Sequence, residues 1–145
     1  MNKKGFTLVE LLAVIAIISI ISLIAIPNIA NITDNIRKEN MIDDAKKFIS
    51  LAKLKVNSDY GIKSGGNSTF NIIELNSNGD FNLKNNHIVD VDNGVYSDNS
   101  YVKYEIINDK VTYCVYLMGS KRHIGTITSC VLEDDLTNKD IVESN

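Results

Sequence analysis

Hydrophobic positions along this chain change period twice. Leu11–Ile26 is nearly continuous, with 14 apolar residues and 2 serines, and no residue from Leu11 to Thr33 is charged. At ~1.5 Å per residue, Phe6–Thr33 reaches about 42 Å as a helix, enough to cross a bilayer. From Met41 the pattern opens to a 3–4 spacing, with Met41/Ile42, Ala45, Phe48/Ile49, Ala52 and Val56 marking one buried helical face. Arg37, Lys38, Asp43, Asp44, Lys46, Lys47, Lys53 and Lys55 fall mostly on the other side, a face expected to be solvated. Asp43 and Lys47 stand in the favourable acid-first i,i+4 order. These periods predict one long helix from about Phe6 to Asn57. Pro27 lies inside it, removes a backbone donor and costs ~3 kcal/mol in a helix interior. A kink or local melting is expected there, aided by the weak helix formers Asn28, Asn31 and Asn35.

The glycines and polar residues of Ser58–Thr69 end the helical pattern in a loop. Beyond it the spacing turns to β. Short strands are expected at Phe70–Leu75, Phe81–Leu83 and Ile88–Val91, separated by Asn/Gly turns. Tyr101–Ile107 and Val111–Met118 form a stronger pair, joined as a hairpin by Asn108-Asp109-Lys110. His123–Leu132 would add a third strand. Val102, Tyr104 and Ile106 alternate with Lys103 and Glu105, which suits a sheet with one face covered and one in water. Residues 59–145 cannot bury a large core alone, so the helix face at Ala45–Val56 supplies the second layer. An α+β chain with one head and one long helix follows.

Within the span, Ala13, Ala16, Ser19, Ser22 and Ala25 recur at every third position. Small side chains let helices approach closely in an apolar medium, and ordinary span composition explains the stripe equally well. Glu10 is the one charge inside this apolar stretch. An acid at the centre of a membrane helix costs roughly 2.5–3.5 kcal/mol, less near an end, and such residues are usually functional. Lys3 and Lys4 precede the span, so the positive-inside rule puts the N-terminus in the cytoplasm and the rest outside.

Lys3-Lys4-Gly5-Phe6-Thr7-Leu8-Val9-Glu10, followed by the apolar run to Pro27, resembles the N-terminus of a type IV pilin precursor. The resemblance covers roughly residues 1–35, where leader, glycine, Phe, acid and proline fall in register. It implies a pilin fold and a membrane peptidase that cuts between Gly5 and Phe6 and methylates the Phe6 amine. It also implies that Glu10 compensates the terminal amine of a neighbouring subunit during assembly, and that Pro27 is the helix-breaking proline. The layout expected is a removed leader at 1–5, a membrane or filament-core helix at 6–33, an amphipathic half at 34–58 and a β-sheet head at 59–145.

An ordinary secretory signal fits poorly. Ala25-Ile26-Pro27 places proline at the cut, and Asn28-Ile29-Ala30 places Asn three residues back. A plain membrane anchor accounts for the span but leaves Gly5-Phe6 and Glu10 unexplained.

Cys114 and Cys130 lie outside the cell in this topology, where disulfides persist. A hairpin turning about Arg122 would set them directly opposite, and a bridge there is worth roughly 3 kcal/mol. The alternative is two reduced, buried thiols. Net charge is −3, or about −5 once Lys3 and Lys4 are removed, with no basic patch for nucleic acid. His87 and His123 stand apart from any metal or nucleophile spacing and are expected as exposed imidazoles. Asp90-Val-Asp92-Asn93-Gly94 resembles a calcium loop, but its glycine comes one place early and no ligating Glu follows, so a turn is expected. The acidic tail (Glu133, Asp134, Asp135, Asp140, Glu143) is expected to be solvated, although pseudopilins can bind calcium in that part of the head. Asn67-Ser68-Thr69 fits a glycosylation acceptor pattern, which arises often by chance among 18 asparagines.

The combined expectation is a non-enzymatic structural subunit of a type IV pilus, with no cofactor or metal. It would wait in the membrane and then join an extracellular filament of its own kind and other pilins. Implied partners are a prepilin peptidase, an assembly ATPase and a platform protein. A pseudopilin of a type II secretion or competence system and a minor pilin share this N-terminus. Glu10 favours a shaft position, because tip subunits often lack the acid.

Overall fold

The computed structural model describes residues 6–60, 66–108 and 110–144, without the side chains of 26–28, 59 and 60. The chain forms two compact units, Met1–Ile36 and Arg37–Asn145. Helix α1 (Leu8–Lys55, 48 residues) contributes to both and ends in a turn of π-helix at Val56–Tyr60. Its backbone stays helical at position 27, so the local melting that is one of the two outcomes expected at Pro27 does not occur.

In the first unit the helix opens with a span that is apolar but for Glu10 and two serines. Its window Leu8–Ala25 has a mean hydropathy of 2.8 with none of its residues buried, and is long and apolar enough to cross a membrane. In the second unit α1 becomes one-sided. Met41, Ala45, Phe48, Ile49, Ala52 and Val56 are all fully buried, the 3–4 face read from the sequence.

That face packs in one core with an antiparallel sheet. The strands are β1 (Asn67–Asn71), β4 (Tyr101–Ile107), β5 (Lys110–Met118), β6 (Arg122–Ile124) and β8 (Ile141–Glu143), in the spatial order β1-β4-β5-β6-β8. β7 (Val131–Leu132) also pairs with β5, while β2 (Leu83–Lys84) and β3 (His87–Ile88) form a separate hairpin. The architecture is α+β, a long apolar helix followed by an antiparallel sheet, consistent with the pilin fold. Val102 and Tyr104 are buried, and Lys103 and Glu105 pair on the opposite face.

Several elements differ from the pattern reading, each for a local reason. The strand expected at Phe70–Leu75 stops at Asn71, whose side chain accepts the Ile73 N–H at 2.8 Å and caps a one-turn helix, α2 (Ile72–Leu75). The strands expected at Phe81–Leu83 and Ile88–Val91 shrink to the two-residue β2 and β3. Asn85 and Asn86, both at positive φ, make the tight turn between them. Phe81 leaves the strand to stack on Phe48, with ring centroids 4.1 Å apart. The loop expected to reach Thr69 ends earlier, since β1 begins at Asn67.

His123–Leu132 is not one strand. Gly125, at φ 71°, opens a turn in which the Thr126 N–H donates to the Ser129 carbonyl, and a Cβ at Gly125 would lie 2.7 Å from that same oxygen. The run therefore splits into β6 and β7, both on β5. Cys114 faces Leu132 rather than Cys130, yet Cys114 and Cys130 are bridged, with Cα atoms 5.4 Å apart. The bridge holds the 125–130 turn against β5. β8 was not expected; a capping box of Thr137 and Asp140 leads into it.

Closing a loop of sequence separation 16 is worth roughly 3 kcal/mol. Replacing both Cys114 and Cys130 by Ser should lower the denaturant midpoint of the second unit accordingly, measured on the full chain. An unchanged midpoint would show that the bridge adds no stability.

Candidate functional site

The start of α1 is a reciprocal cap. Thr7 donates its N–H and its hydroxyl to Glu10 Oε2 at 2.8 and 2.9 Å, and the Glu10 N–H donates to Thr7 Oγ1 at 3.3 Å. This is the Thr-x-x-Glu capping box, which satisfies donors that a helix start leaves open. The signature stands in the sequence as Thr7…Glu10, but attention to Glu10 as a lone charge passes over it. One carboxylate oxygen is thereby occupied within the chain. Among the described residues Oε1 has no partner, so the side chain keeps an acceptor to offer outward.

Phe6 stands immediately before this cap and is 76% exposed, while Gly5 lies outside the described residues. The hydroxyls of the span are closed off within the helix. Ser19 donates to the Ile15 carbonyl at 2.7 Å and Ser22 to the Ile18 carbonyl at 2.8 Å. Such back-bonding leaves no open hydroxyl donor facing an apolar surrounding. What remains on the surface is Phe, Leu, Val and Ile around a single acid.

The second polar constellation lies in the second unit. Asp92, buried between loop and helix, accepts a bidentate pair from Arg122: Nε to Oδ2 at 2.7 Å and Nη2 to Oδ1 at 3.0 Å. Arg37 of α1 adds Nη1 to Oδ1 at 3.1 Å. Asp90 beside it accepts the N–H groups of Asp92, Gly94 and Ser120 at 2.9, 2.8 and 2.5 Å. A Cβ at Gly94 would sit 2.3 Å from Ser120 Oγ, so only glycine lets the two loops meet. Tyr96 donates its hydroxyl to Asp44 at 2.8 Å.

This arrangement corrects three expectations. Arg37 and Asp44 belong to the buried network rather than to a solvated face. Asp90–Gly94 is a turn, as expected, but its acids anchor guanidiniums and backbone amides. No group of three or more metal-ligating side chains occurs among the described residues. The acidic tail is partly engaged: Glu133 pairs with Lys53 at 2.6 Å and Asp140 accepts from Thr137. Nor is His87 isolated, since its Nδ1 lies 2.8 Å from Asp98. His123 Nδ1 lies 3.3 Å from Ser144 Oγ.

Burial pushes the Asp90 carboxyl up, but the hydrogen bonds from Ser120, Asp92 and Gly94 outweigh it and hold its pKa below the usual 3.8. Burial raises that of Asp44, against the opposing Tyr96 hydrogen bond.

Residues 1–26 match the prokaryotic N-terminal methylation motif, which is the class III signal peptide of type IV pilins. No curated protein and no solved structure matches the chain. The motif is the one that type IV pilin-like and pseudopilin proteins carry, and here it covers the leader and the first apolar turns of the chain. Together with the apolar helix it fits a membrane-anchored precursor that becomes a surface filament. A structural rather than enzymatic protein accords with it.

Two predictions arise from the buried network. Arg122→Ala removes one partner of a buried pair and should cost about 3–5 kcal/mol in denaturant unfolding, while Arg37→Ala, at a one-third exposed side chain, should cost about 0.2–1 kcal/mol. Equal losses would contradict this ranking. Asp90 supplies stability that is present above its unfolded pKa and lost as pH falls below about 3.8 through its folded value. Asp90→Asn should flatten that acid limb, read as unfolding free energy against pH; an unaltered slope would show that Asp90 does not carry it.

Proposed function

We propose that the chain is a structural subunit of a type IV pilus, built into an extracellular filament through its N-terminal helix. The observation that carries this reading is a carboxylate with one oxygen unpartnered among the described residues, on a span that is otherwise apolar and exposed. In lipid such an acid is costly, and in water the surrounding isoleucines and leucines are. Burial among identical helices removes both costs if a cation meets the acid. The chain creates that cation itself: cleavage between Gly5 and Phe6 frees an amine at Phe6, four residues from Glu10. Within one subunit Glu10 is already held by Thr7 through Oε2, so Oε1 is available to a neighbour's methylated Phe6 amine.

In this reading residues 1–5 are a leader removed by a prepilin peptidase, with the N-terminus cytoplasmic. Residues 6–33 move from membrane to filament core. Pro27 lets the helix bend as it does so. Residues 34–58 and the head at 59–145 form the outer layer, with an assembly ATPase and a platform protein supplying the work of extraction. Adhesion, motility, biofilm formation or DNA uptake would be properties of the whole filament. The specific support for a pilus shaft over a tip role is the presence of Glu10, whose Oε1, beyond the cap that Oε2 makes with Thr7, gains a cation where a neighbouring amine reaches it.

Glu10→Ala should leave cleavage at Gly5–Phe6 intact, seen as normal mature mass, while abolishing or sharply reducing sheared filament yield. Unchanged filament yield would sink the assembly role. Gly5→Glu should block processing, and a normal mature mass in that variant would refute the assigned cut.

A further inference from the structure

The first turn of α1 in the second unit is attached differently from the turns that follow. Apolar burial begins at Met41, fully buried, and Ile42. In the preceding turn Glu39 and Asn40 are exposed. The attachments there are charged: Arg37 Nη1 to Asp92 Oδ1 at 3.1 Å, and Lys38 Nζ to Glu143 Oε1 at 3.8 Å. Arg37 keeps 36% of its side chain in solvent and Glu143 66%, whereas Asp92 keeps 1%.

Asp92 is not stranded if Arg37 lets go. Its bidentate pair with Arg122, whose side chain is 5% exposed, neutralises it from within the sheet. The outer arm of the network can therefore open without leaving a buried charge uncompensated, which is the condition that makes most buried ion pairs costly to break.

The helix on either side of Arg37-Lys38-Glu39 is weakly helical by composition. Asn31, Thr33, Asp34 and Asn35 before it, and Asn40 after it, favour other conformations over a helix interior. A short turn flanked by such residues gains little from its neighbours and depends on what holds it.

We infer that Arg37–Asn40 is an electrostatic latch: Arg37–Asp92 and Lys38–Glu143 hold this turn on the head, and it opens while the core from Met41 onward remains folded. The latch sets the point at which α1 leaves the head. Opening it frees about one further turn, ~5.4 Å of helix, at no cost to the sheet. This gives the second unit a first helical turn that releases on its own. The inference holds whether or not the chain builds a pilus.

Hydrogen–deuterium exchange on the full-length chain in detergent micelles tests it. Arg37→Gln and Glu143→Gln are compared singly and together with the wild type. The expected result is a loss of protection of about 1.5- to 5-fold at amides 35–41 in Arg37→Gln and a larger loss in the double variant. Amides of β4 and β5 should exchange at the wild-type rate. Met41→Ala, which cuts into the core, should instead speed exchange in β4 and β5 as well. Unchanged protection at 35–41 in the double variant would overturn the latch. So would an equal acceleration of β4 and β5 there, since the turn would then open only with the head.

Discussion

A single helix here has to meet two surface requirements that no one surrounding satisfies. Over Leu8–Ala25 it is apolar on every side and has no buried residue, so it calls for lipid or for other helices of the same kind. Over Met41–Val56 it is one-sided, and the buried side completes the core of a sheet too small to build one alone. Glu10 sharpens the first requirement. Its Oε2 is held by Thr7, and the remaining oxygen, without a partner among the described residues, is an acceptor on an apolar surface. In the proposed function, a cation from another chain completes that acceptor, and membrane precursor and assembled filament become two stages of one arrangement.

The second unit solves a different problem, how to seat a charged helix on a small β layer. It does so with the Arg37–Asp92–Arg122 row and the Asp44–Tyr96 bond rather than with apolar contacts alone. Asp90 locks the loop that presents Asp92, through three backbone amides and the close approach at Gly94. The inner pair, Arg122–Asp92, is bidentate and buried, so its loss leaves a buried carboxylate with only the partly solvated Arg37 against it. The outer pair is a partly solvated attachment. That division of labour lets one network both fix the head and leave its first helical turn releasable.

Much of this was legible in the order of residues. The exposed span, the buried face at Met41–Val56 and the β4–β5 hairpin follow from hydrophobic period alone, because each is long enough for its repeat to outweigh local noise. Short elements were harder. Phe70–Leu75 is apolar enough for a strand, and only the Asn71 cap turns it into α2. Gly125 breaks a β-rich run whose other residues all favour continuing, so β6 and β7 read as one. The cysteine pairing was expected from a register that does not occur: the 125–130 turn, not strand opposition, brings Cys130 to Cys114. Charge partners were the least legible. Nothing in Arg37, Asp92 or Arg122 as isolated symbols states that they meet, since their contact depends on how α1, the 90–94 turn and β6 fold together. At the helix start the Thr-x-x-Glu spacing carried the cap openly, and Gly5 with Phe6 carried the motif that residues 1–26 match.

The central claim is that this helix leaves the membrane, trimmed at Gly5, to become the core of an extracellular fibre. It is tested most directly by shearing intact cells, collecting filaments and determining the intact mass and N-terminal sequence of the chain found there. The account predicts abundant chains that begin at methylated Phe6. Finding only chains that still carry Met1–Gly5, in the sheared fraction and the membrane alike, would contradict it and leave a membrane anchor in its place.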